Sequence, residues 1–324
     1  MAPQASSTIL PKLLKGFFSL AILGGVIMFL DFDKILGVLS ELNLIPILLA
    51  LFLLVLEFPI LGFRWYLIAN ENHELGILAH LRLYFIANFF NTFTPAQIGG
   101  DVYRLYGLWR KDIDPRFVIG KLVQERLIGL VGFFIFLVFC MIYSTSNSLL
   151  VLKSFPDPLS ISLMFSLLAI TLFFITVFFG ERITNYLASH NWLSKNKWIK
   201  GILNIIHESM KYPSSKKLGV IFLLSIFGGG IIWTLAVFIV AKEIGTEAHF
   251  AIIGIAAIMS DLIRFIPISI QGLGVREAAF TYTFFLLGLD PEKGFVIGLV
   301  SYLAVWAATA VIGVIGYFLP DRNK

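Results

Sequence analysis

The chain has 324 residues, of which 58% are hydrophobic and 14% charged, with a formal net charge of +5 and a mean hydropathy of +0.88. Soluble domains carry roughly 25% charged residues, so this composition excludes an ordinary soluble domain and indicates a polytopic membrane protein. The positive charge does not indicate nucleic acid binding, because Lys and Arg fall mostly between apolar runs, where membrane topology places them. The lone cysteine, Cys140, excludes an intrachain disulfide.

Six apolar runs predict membrane spans, since a crossing needs about 20 mostly apolar residues. In chain order the runs are 13–30, 44–63, 127–143, 159–180, 218–241 and 294–319. The first run follows Lys12 and Lys15 and resembles a signal peptide. However, Asp31 and Asp33 stand where a cleavage site needs small residues. We therefore expect a retained first helix.

Two further apolar regions, 76–106 and 250–289, are interrupted by proline and glycine. The interruptions are Pro95 with Gly99-Gly100, and Pro267 with Gly272. Each region predicts two shorter helices that meet at a break, with the second helix starting near Asp101 or Val275. Broken backbone at membrane depth requires a cavity or protein partners, and paired interruptions in two halves point to the binding site of a transporter.

Basic residues orient the spans. Lys and Arg crowd the connections 104–121 and 181–217 and mark both termini, whereas the connections 31–43, 144–158 and 242–249 carry one Lys each. The positive-inside rule assigns the crowded connections and both termini to the cytoplasm. This topology requires each interrupted region to enter and leave on one side, as a re-entrant hairpin.

The predicted fold class is an all-α integral membrane protein, a single polytopic domain of residues 1–324 with about six spans and two re-entrant broken-helix hairpins. The order span, span, hairpin, span recurs upside down, which predicts an inverted-topology repeat of residues 13–143 and 159–319. An alternative, in which the hairpin arms cross fully, gives eight or more spans. The connection 181–217 is interpreted as a solvated loop with a short amphipathic helix near 198–210.

The first break carries candidate ligand-binding groups. Gly99 and Gly100 would leave backbone N–H groups free at a helix start, where the helix dipole favours anions. Arg104 lies one turn after Asp101 and could bind a phosphate through two hydrogen bonds. The alternative is that Asp101 only caps the helix and Arg104 extends to the membrane interface.

The second break has the same order of glycines, helix start and charge. Its candidate binding residues are Gln271, Gly272, Gly274, Arg276 and Glu277. Just before it, Asp261 and Arg264 are three residues apart and can pair on one helical face. Charges at membrane depth are costly and commonly functional. The alternative is a pair that neutralises itself and only lets the helix sit in the membrane.

Glu57 lies in an otherwise apolar span, which favours proton or cation handling, with pairing to Arg64 as the alternative. Glu125-Arg126 stands at the predicted start of a span, either as part of the site or as an interfacial charge pair. The sequence contains no HExxH, CxxC or Walker-type loop, and no nucleophile beside a base. It therefore predicts no catalytic residue, no metal site and no cofactor.

Three motifs occur in order, and together they carry a family resemblance. They are Pro95-x-x-x-Gly99-Gly100-Asp101-x-x-Arg104, Gln124-Glu125-Arg126-Leu127-Ile128-Gly129-Leu130 and Pro267-Ile268-Ser269-Ile270-Gln271-Gly272-Leu273-Gly274-Val275-Arg276-Glu277. The chain resembles the flippase-like family named for the lysylphosphatidylglycerol synthase transmembrane region, from about residue 13 to residue 319. Gln271 departs from the small residue that many members have.

The resemblance implies a multi-pass protein of the cytoplasmic membrane in bacteria or archaea. The best understood relatives are thought to move an aminoacylated phospholipid between leaflets, and they carry a soluble aminoacyl-transferase domain after this region. Here no such domain follows the last predicted span, so we expect no synthesis of the lipid.

The function we expect is that of a lipid translocase without an ATPase of its own. It would bind an anionic head group, aminoacylated or glycosylated, between the two broken-helix motifs. Its partners would be membrane lipids, with no nucleic acid. Two alternatives stay open: a non-transporting accessory subunit of a lipid-modifying or glycosyl-transfer enzyme, and an integral-membrane transferase acting on a lipid phosphate.

Overall fold

The computed structural model describes residues 24–320 except 27, 29, 71–74, 95–96, 150–156, 190–196 and 264–271. Within these ranges the chain forms helices and no strand. The helices are α1 (Phe32–Ser40), α2 (Leu44–Ala69), α3 (Ile77–Asn91), α4 (Ile98–Trp109), α5 (Pro115–Ser146), α6 (Pro158–Ser189), α7 (Lys197–Met210), α8 (Ser215–Ser225), α9 (Trp233–Glu243), α10 (Phe250–Ile263), α11 (Val275–Leu286) and α12 (Pro291–Phe318).

Five helices of the described part are long and apolar enough to cross a membrane. They are Leu44–Ala69, Pro115–Ser146, Pro158–Leu187, Ser215–Glu243 and Pro291–Phe318. Each contains one of the predicted spans or most of it, and the protein is an all-α integral membrane protein as predicted. The predicted first span, 13–30, lies mostly outside the described residues.

Each interrupted region forms two short helices, α3 with α4 and α10 with α11, which confirms the predicted break. The longest of the four has 15 residues and so measures about 22 Å at 1.5 Å per residue, whereas the hydrocarbon core is about 30 Å thick. These lengths favour a re-entrant hairpin, which stays a prediction, over arms that cross fully. Helix α11 begins at Val275 as predicted, and α4 begins at Ile98, before Asp101.

The long and short helices pack in a reciprocal pattern. Helix α3 contacts α12, and α10 contacts α5, while α2 lies against α9. The first helix of each short pair therefore packs on the long helix that ends the other predicted half. Close approach depends on small residues, because a Cβ on Gly254 of α10 would lie 2.9 Å from the Cys140 sulfur of α5. The inverted repeat of residues 13–143 and 159–319 stays a prediction.

Between α8 and α9 the backbone forms a π-helical segment, Ile226–Ile232. Its glycines face neighbouring helices at short range. A Cβ on Gly228 would lie 2.9 Å from Leu61 of α2, and one on Gly229 would lie 2.8 Å from Phe133 of α5. The missing side chains let this long helix lie directly against α2 and α5 at mid-length. Such π segments are frequent at functional sites.

The connection 181–217 differs from the prediction. Helix α6 continues to Ser189, and α7 forms where the amphipathic helix was expected, but α7 packs on α5 and α6. Glu208 of α7 lies against Gly120, and Met210 lies against Gly180. The interpretation as a solvated loop is therefore wrong for these segments, because the glycines let the helices approach closely enough to bury one face of α7.

Candidate functional site

A cavity of about 170 Å³ lies at mid-length among the candidate spans, lined from α2, α3, α4, α5, α9, α10, α12 and the π-helical segment. Its charged lining residues are Glu57, Arg64, Asp101, Arg104, Glu125, Arg126 and Asp261. The cavity is smaller than the roughly 300–1,000 Å³ of pockets for drug-sized ligands. It therefore has room for a compact polar group and not for a whole lipid.

Five of these side chains form one alternating sequence of ion pairs, which we call the charged chain: Arg64, Glu125, Arg104, Asp101 and Arg126. Arg64 Nη2 donates to Glu125 Oε1 at 3.1 Å, and Arg104 Nη1 donates to Glu125 Oε2 at 2.5 Å. Arg104 Nη2 donates to Asp101 Oδ1 at 2.7 Å. Arg126 donates to Asp101 Oδ2 from Nε at 2.9 Å and from Nη2 at 2.6 Å. Three guanidinium groups and two carboxylates leave the charged chain with one positive charge.

The positions of these residues follow from helix geometry. Asp101 and Arg104 are three residues apart on α4, so they share a face. Glu125 and Arg126 are neighbours on α5 and point in different directions, Glu125 towards Arg64 and Arg104, and Arg126 towards Asp101. Because Arg64 comes from α2, the charged chain joins three helices.

The guanidinium groups of the charged chain differ in accessibility. The Arg104 side chain is 6% exposed, and its guanidinium lies 4.4 Å from the ring centre of Trp65 and 5.5 Å from that of Tyr84. Such cation–π contacts are favourable and hold the group in place. The Arg126 side chain is 34% exposed. Arg126 is therefore the most accessible guanidinium of the charged chain.

Gly99 and Gly100 do not present free N–H groups, so that expectation is wrong. The N–H of Gly99 donates to Thr94 Oγ1 at 2.9 Å, and the N–H of Gly100 donates to Asn91 Oδ1 at 2.7 Å. A Cβ on Gly100 would collide with the Ala87 carbonyl oxygen. These glycines thus serve the close packing of α4 on α3.

Asp101 does not cap its helix, in contrast to the alternative considered for it. Helix α4 has Gln97 as its N-cap, in the left-handed conformation with φ of 56°. The Asp101 carboxylate instead accepts hydrogen bonds from Arg104 and Arg126. Arg104 does not extend to the membrane interface either, because it is buried.

Glu125 and Arg126 lie in the interior of α5, which begins at Pro115. They pair with residues of α2 and α4 rather than with each other. Arg64 is buried and donates to Glu125 and to Ser225 Oγ, the latter at 3.2 Å. Glu57 lines the same cavity. Lys121, which was counted among the basic residues of a loop, is also buried within α5.

The second half contributes Asp261, which lines the cavity and lies 3.5 Å from Arg276, measured from Oδ1 to Nη2. Arg276 is fully buried, with its guanidinium 5.1 Å from the ring centre of Trp233 and 5.7 Å from that of Tyr302. Arg276 does not line the cavity. It lies behind Asp261, which does. The predicted partner of Asp261, Arg264, lies outside the described residues, as does Gln271.

Glu277 is buried and caps α11, since its Oε2 accepts from the Gly274 N–H at 2.7 Å. Gly272 and Gly274 have φ of 87° and 82°, in the left-handed region that favours glycine. These three residues therefore build the turn into α11 and are not among the residues that line the cavity.

Several polar lining residues were not singled out from the sequence. They are Asn88, Asn91, Gln97 and Thr309. Asn91 and Gln97 flank the first break, and this position in the sequence could have identified them. Thr309 lies in an apolar helix, and no sequence feature marks it. Among the described residues, no group of His, Cys, Asp or Glu is arranged to hold a metal ion.

The fold and this site define an integral membrane protein of the all-α class with a charged cavity between broken helices. The chain belongs to the family of the lysylphosphatidylglycerol synthase TM region, whose model matches residues 16–313. It is similar to the UPF0104 membrane protein MJ1078 of Methanocaldococcus jannaschii, with 28% identity over 236 residues that cover 72% of this chain and 95% of the relative. No solved structure matches this chain.

Proposed function

We propose that this protein is a lipid translocase of the cytoplasmic membrane, with both termini in the cytoplasm, and that its cavity binds the phosphate of a lipid head group. The observation that carries the proposal is the charged chain. Charged groups inside apolar helices are costly and are commonly functional. These groups line a cavity beside the first break and the last turn of α10, and transporters of inverted-repeat architecture bind their substrates at such broken helices.

The charge of the lining favours one kind of head group. Arg64, Arg104 and Arg126, together with Arg276 behind Asp261, balance the four acids Glu57, Asp101, Glu125 and Asp261. A dianionic phosphate would leave an uncompensated charge in the membrane interior, which is costly. A singly charged phosphodiester, or a head group that carries both signs, adds less net charge than a dianionic phosphate does. Glycosylated and aminoacylated phospholipids both meet this condition.

Arg126 is the residue that we expect to contact the phosphate. Its guanidinium is the most exposed of the charged chain, and guanidinium binds phosphate oxygens with the same paired geometry that it uses for a carboxylate. Arg104 keeps Asp101 through its own hydrogen bond while Arg126 turns to the head group. One predicted half then rocks against the other to change access.

The proposal includes no catalytic step and no ATPase. The residues beside the cavity are engaged in ion pairs and helix contacts, and they perform binding and charge balance. Membrane lipids are the proposed partners.

A leaflet assay tests the proposal. Proteoliposomes would contain fluorescent anionic, zwitterionic or lysyl-bearing lipids, with a chemical quencher added outside. We expect faster quenching of one head-group class than in empty liposomes. Arg126→Ala should slow it by about tenfold or more, since a hydrogen bond to a charged group contributes about 1.5–3 kcal/mol. The matched control is Arg110→Ala, at an exposed arginine just after α4 and outside the cavity lining.

The assay also separates the alternatives. Folded protein that moves no lipid class would contradict translocation and favour an accessory subunit. Chemical conversion of a labelled lipid by the purified protein alone would instead favour a transferase. Equal slowing in Arg126→Ala and Arg110→Ala would remove the role assigned to Arg126.

A further inference from the structure

Helix α7 exposes large apolar side chains on one of its sides. Trp198, Ile202 and Ile206 are four residues apart, so they lie on one side of the helix, and they are 83%, 56% and 37% exposed. The opposite face is packed, since His207 Nδ1 lies 3.1 Å from Thr184 Oγ1. An apolar stripe of this kind indicates a binding surface.

The position of α7 limits what can cover this stripe. Its contacts are with Gly120, close to the start of α5, and with Gly180 and Thr184, close to the end of α6. These two positions lie near one end of two candidate membrane spans. Helix α7 therefore packs near the same end of these two candidate spans.

The net charge of the segment that contains α7 favours an anionic membrane surface. Residues 181–217 contain seven Lys and Arg and two acids, a net charge of +5 that equals the net charge of the whole chain. Arg182, Lys200, Lys211 and Lys216 are exposed. Helices with basic residues beside Trp and aliphatic side chains bind in the plane of anionic membranes.

We propose that the face of α7 formed by Trp198, Ile202 and Ile206 binds the surface of a leaflet that contains anionic phospholipid. The apolar side chains enter the boundary between head groups and acyl chains, and the exposed lysines contact the phosphates. This lipid contact is separate from the cavity and does not depend on translocation.

Hydrogen bonds connect the residue after α7 to helix α5, which contributes to the cavity. The carbonyl oxygen of Lys211, which follows α7, accepts from Lys121 Nζ and from Gln124 Nε2, both at 3.1 Å. Lys121 and Gln124 are fully buried in α5. Gln124 precedes Glu125 of the charged chain. The residue that follows α7 is therefore hydrogen-bonded to the segment of α5 that carries the site.

A fluorescent label on α7 tests the proposal. In a Cys140→Ala background, Ile202→Cys would carry an environment-sensitive NBD group, and the protein would be placed in nanodiscs of phosphatidylcholine with or without phosphatidylglycerol. We expect the emission to shift to the blue when phosphatidylglycerol is present. The shift should reverse in about 1 M salt, where the screening length falls to about 3 Å.

The matched control is Leu168→Cys with the same label. Leu168 is 56% exposed at mid-length of α6 within a candidate span, so its emission should be that of an apolar environment and equal in both nanodiscs. The variant Lys200→Glu, Lys211→Glu, Lys216→Glu should lose the shift at position 202 and keep the emission at 168. Equal emission of the label at 202 in both nanodiscs would overturn the proposal, as would a shift that persists in the triple variant. Because the readout is emission and not lipid movement, a failure here is distinct from a failure of translocation.

Discussion

Arg104 donates to one carboxylate oxygen of Glu125 at 2.5 Å while Arg64 donates to the other at 3.1 Å, and all three side chains are buried. One carboxylate from α5 thus holds guanidinium groups from α4 and α2. Hydrogen bonds between charged groups are the strong ones, and removal of one partner of a buried pair leaves an uncompensated charge. Glu125 is therefore the centre of the charged chain.

Replacement of Glu125 should destabilise the protein strongly. Glu125→Gln keeps the shape and removes the charge that balances Arg64 and Arg104. We expect the free energy of unfolding to fall by about 3–5 kcal/mol, measured by denaturant unfolding in detergent. Glu181→Gln, at an exposed position on α6, is the control and should stay close to the wild type. A loss for Glu125→Gln no larger than that of the control would show that the charged chain is not needed for stability.

Gly100 and Gly107, both on α4, provide a matched pair of positions for glycine-to-alanine substitution. A Cβ at Gly100 meets the Ala87 carbonyl oxygen of α3, which cannot move without its helix, whereas a Cβ at Gly107 meets the end of the Leu83 side chain. Gly100→Ala should therefore displace α4 and lower the melting temperature, while Gly107→Ala should be tolerated because a leucine can change rotamer. Thermal unfolding of both variants measures the difference. Equal melting temperatures would mean that α4 does not depend on this close approach.

Arg276 and Asp261 should show strong coupling in a double-mutant cycle. Arg276→Met leaves the buried Asp261 carboxylate without this guanidinium, and Asp261→Asn leaves Arg276 without this carboxylate. The double variant should cost less than the sum of the single variants, with a coupling of about 0.5–3 kcal/mol. Unfolding free energies of the four proteins give this quantity. Additive losses would indicate that other contacts decide the burial of Arg276.

Arg126→Lys should separate charge from geometry. Lysine keeps the positive charge but cannot reproduce the two hydrogen bonds that Arg126 makes to Asp101. We expect translocation in the leaflet assay to slow, with Arg126→Ala slower still, and the melting temperature to change little because this pair is partly exposed. Wild-type rates in Arg126→Lys would show that charge alone is sufficient at this position.

The spans and the two breaks were predictable because hydropathy and helix interruption are local properties of the chain. The spans in α2, α5, α6, α8–α9 and α12 and the helix start at Val275 were found in this way. The roles of individual site residues were harder to predict from the sequence. Gly100 was expected to face a ligand and instead faces α3, since the neighbour of a glycine depends on which helix packs against it.

The pairing of charged residues also depended on the tertiary structure. The sequence offered Glu57 as a partner for Arg64, because the two are close along the chain. The structure shows Arg64 bound to Glu125, which is 61 residues away, and Asp261 beside Arg276 across the second break. Charged residues within the apolar sequence could be identified one by one, but partners that lie far apart along the chain could not, because they are set by the packing of separate helices.

The sequence by itself determined that this is an all-helical membrane protein with two broken-helix regions and charged groups beside them, since composition and periodicity decide which segments enter a membrane. Only the tertiary structure decided that Arg64, Glu125, Arg104, Asp101 and Arg126 form one charged chain around a cavity, and that Arg276 lies behind it. The physical reason is that a buried charge must be compensated by whichever opposite charge packing brings within a few ångströms, and packing is a property of the whole chain.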